Sequence, residues 1–165
     1  MAQLTPKERL QPSLLDRLAA PRPETRGLTM MVSVEQLRES VRRELTALFS
    51  AVSLEIVEKS VEGHKEVRRS GLNFGMPALS GRTVSSVNIA MLERQLTRAI
   101  RDFEPRLAGN SLRVRALGED NEKGHNRLAF EIEGELWAQP LPQKLLLRTE
   151  LDLESGQVLV EESRG

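Results

Sequence analysis

The chain reads as an α+β protein, an antiparallel four-stranded sheet packed by two long N-terminal helices. Three observations lead there. Apolar residues recur at helical spacing in "SVEQLRESVRRELTALF" and again from Ile89 to Phe103. From Leu112 onward the apolar period changes to two. Pro105 stands between the second helical tract and the first alternating one, where a missing amide hydrogen and a clash with the preceding turn stop a helix.

Each element has its own signal. Ser33 and Gln36 form a capping-box pair, and Val34, Leu37, Val41, Leu45 and Leu48 then follow on one helical side. Arg38, Glu39, Arg42 and Arg43 fall on the other side and are expected to face solvent. Residues 51–65 alternate weakly, and Gly63 ends whatever they form. Ser85, Ser86 or Asn88 caps the second helix, whose Ile89, Leu92, Leu96, Ile100 and Phe103 share one side, opposite Arg94, Arg98 and Arg101. Four strands follow. "LRVRALG" alternates, and "RLAFEIEGEL" sets Leu128, Phe130, Ile132 and Leu136 against Glu131, Glu133 and Glu135. "KLLLRTELDL" and "QVLVEE" come next, joined by the turn "ESG". Short links imply a meander with one buried face and one wet face, the helices covering the buried one. "LGEDNEKGHNR" is too charged for core, and the prolines of "WAQPLPQK" mark a connection.

Composition narrows the function. At 165 residues one core is expected, as a domain over residues 28–165. Residues 1–27 read as an arm, broken by Pro6, Pro12, Pro21 and Pro23. Within it "PSLLDRLAA" can form a short docking helix carrying Leu14, Leu15 and Leu18; a floppy arm and an apolar anchor are both open. Lys plus Arg and Asp plus Glu each total 24, so no net charge draws the protein to nucleic acid or anionic lipid. Cysteine is absent, which removes disulfides and thiolate metal sites, and no apolar run is long enough to span a bilayer. A cytoplasmic protein without membrane insertion is expected. Aromatic residues are only 3% of the chain, so the core must come from Leu, Val and Ile.

Catalytic and metal-binding patterns are missing. There is no phosphate loop, dinucleotide fingerprint, zinc-type His spacing or nucleophile elbow. Glu104, or Glu119 with Asp120, could be nominated for glycoside hydrolysis, but nothing in their spacing sets the carboxyl separation that chemistry needs. His64 and His125 lie in charged loop sequence, and Gly71, Gly75 and Gly81 read as turn positions needing positive φ. The expectation is a protein with no enzyme activity, cofactor or metal.

Two stretches stand out. "EVRRSGLNFGMPALSG", residues 66–81, is irregular: Arg68 and Arg69 lead into Leu72, Asn73, Phe74 and Gly75, and Pro77 blocks further helix. Leu72, Phe74, Met76 and Leu79 are its expected apolar anchors. It reads as a brace across the helices or as a recognition surface. The second is "FEPRL", where Pro105 stiffens a corner from which Glu104 and Arg106 are expected to project.

"LQPSLLDRL", "LRESVRRELTALF", "EVRRSGLNFGMPALSG", the Glu-Pro-Arg corner and "LLLRTELDLESGQVLVEE", in this order, resemble the TssE family of type VI secretion baseplate subunits. That family is similar to the wedge protein of contractile-tail phage baseplates, in a superfamily labelled lysozyme-like. Gly71 stands where the family commonly has a β-branched residue, and Phe74 where it has Tyr. The resemblance implies a structural subunit at the inner face of the bacterial inner membrane. It would join the TssF and TssG wedge to the TssB and TssC sheath, with TssK a further candidate partner. Glu104, Pro105 and Arg106 would form the corner that meets the sheath. The sheet would stand in for a sheath subunit's strand-sharing domain. A cell-wall-degrading lysozyme-like enzyme and a free-standing regulatory adaptor are the alternatives.

Overall fold

The computed structural model describes residues 33–117, 126–138 and 141–163, together with residues 16 and 18. The first helix, α1, spans Val34–Ser50 and begins as its sequence predicts. The Ser33 hydroxyl accepts from the Gln36 amide at 3.2 Å, and the Gln36 side chain accepts from the Ser33 amide at 2.9 Å. Its buried side carries Leu37, Val41, Leu45, Leu48 and Phe49, with Ser40 beside them.

Residues 54–86 hold only short helical pieces: α2, Leu54–Val57; α3, Lys65–Arg68; and 3-10 turns at Lys59–Gly63, Gly71–Asn73 and Val84–Ser86. α4 follows over Ile89–Phe103, with Asn88 as its cap, and buries Leu92, Leu96, Ala99 and Ile100. Glu104 leaves the helical region at ψ 78°, as the residue before a proline must.

The sheet is a meander in the order β1, β2, β3, β4, comprising Arg113–Leu117, Arg127–Leu136, Gln143–Asp152 and Val158–Glu162. Every neighbouring pair is antiparallel. Leu128, Phe130, Ile132 and Leu136 of β2, Leu145, Leu147 and Leu151 of β3 and Val160 of β4 turn inward to meet α1 and α4. Fully burying each such side chain contributes about 1.5–3 kcal/mol. The fold class and both helix stripes match the sequence reading.

Residues 66–81 are a brace. Met76 pairs in parallel with the segment after α1: its amide donates to Ala51 O at 2.8 Å and its carbonyl accepts from Ser53 N at 2.9 Å. Gly75 makes this approach possible. It sits at φ 133°, and a Cβ there would lie 2.7 Å from Ala51 O. The apolar anchors are Met76, buried, and Leu79, packed against the core. Leu72 corrects the expectation, being 74% exposed. The turn directs Asn73 inward instead, where its Oδ1 accepts from Glu55 N at 2.8 Å and its Nδ2 donates to Arg68 O at 2.9 Å. Gly71 is a second correction: positive φ is confined to Gly75, Gly81 and Gly156 among the described glycines.

Candidate functional site at the helix-sheet corner

The Glu-Pro-Arg corner is fixed to the sheet. Leu107 bridges Leu136, Trp137 N donates to Arg106 O at 2.8 Å, and Ala108 N donates to Glu135 O at 2.9 Å. The sequence predicts that both charges project from this corner, and the structure corrects that expectation. Glu104 is 2% exposed. Arg106 folds back over Pro105, its Nε donating to Glu104 Oε1 at 2.7 Å while Nη2 contacts Oε2. The Arg106 amide donates to the same Oε1 at 3.0 Å. The physical reason is geometric: proline restricts the intervening residue, so the guanidinium lies within reach of a carboxylate that the helix end has already turned inward.

Helix α1 completes the cluster. Arg106 Nη2 donates to Glu44 Oε2 at 2.6 Å, and Nη1 donates to Ser40 Oγ at 3.0 Å. Burial opposes the charge on Arg106, but Glu104, and after it Glu44, hold the guanidinium above the ordinary arginine pKa. The cluster therefore holds its own cation within the chain, leaving Pro105 exposed and Arg106 half-buried. Ser40 and Glu44 were not singled out in the sequence. Their trace there is an i, i+4 polar pair bordering the apolar stripe of α1.

The two stretches picked out by sequence meet here. Phe74 packs edge-to-face on Phe103, with ring centroids 5.5 Å apart. Between them and α1 lies a pocket of about 250 Å³ lined by Glu44, Leu45, Ala47, Leu48, Phe74, Phe103 and Glu104. Arg69 pairs with Asp102 at 3.2 Å, and Arg68 pairs with Glu55 at 2.8 Å. Asn73, Gly75 and Met76 are buried and Pro77 is half-buried, so they shape the loop, while Leu72 and Phe74 are exposed on it.

From the arm, Asp16 and Leu18 are described, both helical. Asp16 accepts from Arg43 at 2.7 Å and from Ser40 Oγ at 3.4 Å, whereas Leu18 is 73% exposed. Leu14 and Leu15 lie outside the described residues, as do Glu119, Asp120 and His125. The arginine side of α1 is not simply solvated. Arg42 Nη1 donates to Val160 O at 3.1 Å, and Arg38 Nη2 donates to Lys144 O at 2.8 Å while Nη1 meets Glu162. Solvent was the expectation because helical spacing cannot show that β4 runs alongside.

Among the described residues no helix is long and apolar enough to cross a membrane, and no three His, Cys, Asp or Glu residues cluster to hold a metal. The fold and its corner define a small α+β domain whose Glu104, Arg106 and Glu44 charges are spent on contacts within the chain. Residues 35–141 match the baseplate wedge protein gp25 family, and the chain belongs to that family. No curated protein matches the chain. Family membership makes this a structural component of a baseplate.

Proposed function

We propose that this baseplate subunit is a TssE-type component of a type VI secretion system, linking the TssF and TssG wedge to the TssB and TssC sheath and helping to start sheath polymerisation. It works in the cytoplasm at the inner face of the inner membrane, with TssK as a further neighbour. It makes and breaks no bonds. The observation that carries this reading is the corner: Glu104 and Arg106 are locked to each other and to α1, and the backbone of Arg106 is locked to the sheet. A part that transmits the thrust of a contractile tail needs a stiff mount of this kind.

In this reading Pro105 and the exposed part of Arg106 touch a partner, and Leu72 and Phe74 extend that surface. Arg68, Arg69, Asn73, Gly75 and Pro77 hold the loop in shape. The domain over residues 28–165 carries this surface, and the arm over residues 1–27 pins a neighbouring subunit through Leu14, Leu15 and Leu18. Exposed Leu18 beside anchored Asp16 supports that assignment. The sheet accepts a sheath strand at an edge.

The test uses a double substitution, Glu104→Leu with Arg106→Met, which removes both charges without leaving either buried alone. Sheath extension is followed by fluorescence of labelled sheath, and wedge assembly by co-expression pull-down with TssF and TssG. Loss of sheath with retained fold is expected. Normal sheath extension, or no complex with TssF and TssG from the parent chain, would overturn the proposal.

A further inference from the structure

On the solvent face of the sheet, charges of opposite sign lie across from one another on neighbouring strands. β1 presents Arg113 and Arg115; β2 presents Arg127 and then Glu131, Glu133 and Glu135; β3 presents Lys144 and Arg148 and then Glu150 and Asp152; β4 presents Glu161. The register sets them opposite one another: Arg113 to Glu133, Arg115 to Glu131, Glu131 to Arg148, Glu135 to Lys144 and Arg148 to Glu161. Cross-strand pairs of opposite charge favour such an order. At the β1 edge the series stops on two arginines, and among the described residues neither forms an ion pair.

The two edges are guarded unequally. Along the β3/β4 side, two arginines of α1 bond outward carbonyls, Arg42 to Val160 and Arg38 to Lys144. At β1, among the described residues, the Ala116 amide alone is covered by a side chain, donating to Glu93 Oε1 at 2.7 Å. Antiparallel alternation then turns the N–H and C=O of Val114 to the same side, and among the described residues neither has a partner there. A polar side chain on an outward amide is a removable guard against strand pairing.

We propose that the β1 edge accepts an extended acidic segment of a partner protein, with carboxylates at alternate positions opposite Arg113 and Arg115 and apolar residues opposite Val114 and Ala116. Arg113 and Arg115 occupy the narrow, non-hydrogen-bonded positions of the new pairing, where side chains approach most closely. Docking requires the Ala116 amide to exchange Glu93 for a carbonyl of the incoming strand. This inference rests on the strand-acceptor reading of the sheet and names the chemistry and edge of that acceptor.

The experiment titrates the full chain with two fluorescent synthetic peptides, one alternating Glu with Val and one alternating Lys with Val, read by anisotropy. The acidic peptide is expected to bind better by roughly two- to thirtyfold, from two cross-strand charge pairs. Glu93→Ala should tighten it further, and Arg113→Glu with Arg115→Glu should invert the preference. If the reversed protein does not fold, Arg113→Ala with Arg115→Ala should abolish the preference. Equal binding of both peptides overturns the acidic selection and leaves strand acceptance standing. Binding of neither peptide, even to Glu93→Ala, overturns strand acceptance itself. Self-association of Glu93→Ala by light scattering, without peptide binding, assigns the edge to a second copy and overturns the proposal.

Discussion

Arg106 turns back across Pro105 to place its Nε 2.7 Å from Oε1 of Glu104, a carboxylate that is otherwise sealed between α1 and the end of α4. The pair thereby makes one rigid body of a helix end, a corner and, through Glu44, a second helix.

Arg106→Ala should destabilise the protein by about 3–5 kcal/mol, because it leaves Glu104 charged and buried without its cation. Urea unfolding followed by circular dichroism measures this. Glu104→Leu with Arg106→Met should instead keep a urea midpoint near that of the parent, since neither charge remains to be desolvated. An unchanged midpoint for Arg106→Ala would show that the pair adds no stability.

Gly75 and Gly71 lie in one loop and should respond oppositely. Gly75→Ala must place a Cβ 2.7 Å from Ala51 O at φ 133° and should cost at least about 1–3 kcal/mol. Gly71 has no positive φ and open space around a Cβ, so Gly71→Ala should be neutral or add about 0.4–1 kcal/mol by restricting the unfolded chain. Paired denaturation curves decide it, and equal losses would refute the assignment of the close approach to Gly75.

Thr149 sits in the centre of β3, opposite Phe130 and Val160, fully buried. Its hydroxyl has no hydrogen-bond partner among the described residues. Thr149→Val keeps the shape and removes a desolvated polar group, so it should stabilise by about 1 kcal/mol and raise Tm in calorimetry. A lower Tm would mean that the hydroxyl is satisfied.

Asp152 closes the turn between β3 and β4. The Ser155 amide, 2.9 Å from its Oδ1, leads the interactions that lower its pKa from 3.8 to about 2, with the Glu154 amide and Arg127 adding to the effect. The folded pKa is depressed, so its contribution to stability is full above 3.8 and disappears as pH falls through about 2. Asp152→Asn should therefore be less stable than the parent near neutral pH, and the gap should close at the acid end. A carboxyl titration by NMR with its midpoint near 3.8 would contradict this.

The helices and strands were legible because their signals are local. A serine and glutamine three apart, an apolar stripe and a stop at proline describe α1 and α4 whatever surrounds them. The corner and the 66–81 stretch could be singled out, yet their contents could not be assigned. Leu72 looks like an anchor and is exposed, while polar Asn73 is the buried strut, because a 3-10 turn has no longer pattern from which to read its inward side. Ser40 and Glu44 carry no local signal of their role in the sequence, because they acquire it only when residue 106 arrives beside α1.

Sequence alone established the order of elements, the faces that are apolar and the absence of familiar catalytic motifs, since each depends on residues within a few positions of one another. Tertiary structure decided what the charges do. Arg106 meets Ser40 at a separation of 66 residues, Arg42 meets Val160 at 118 and Arg38 meets Glu162 at 124. A guanidinium bonds whatever oxygen lies within about 3 Å. Only folding brings those oxygens there.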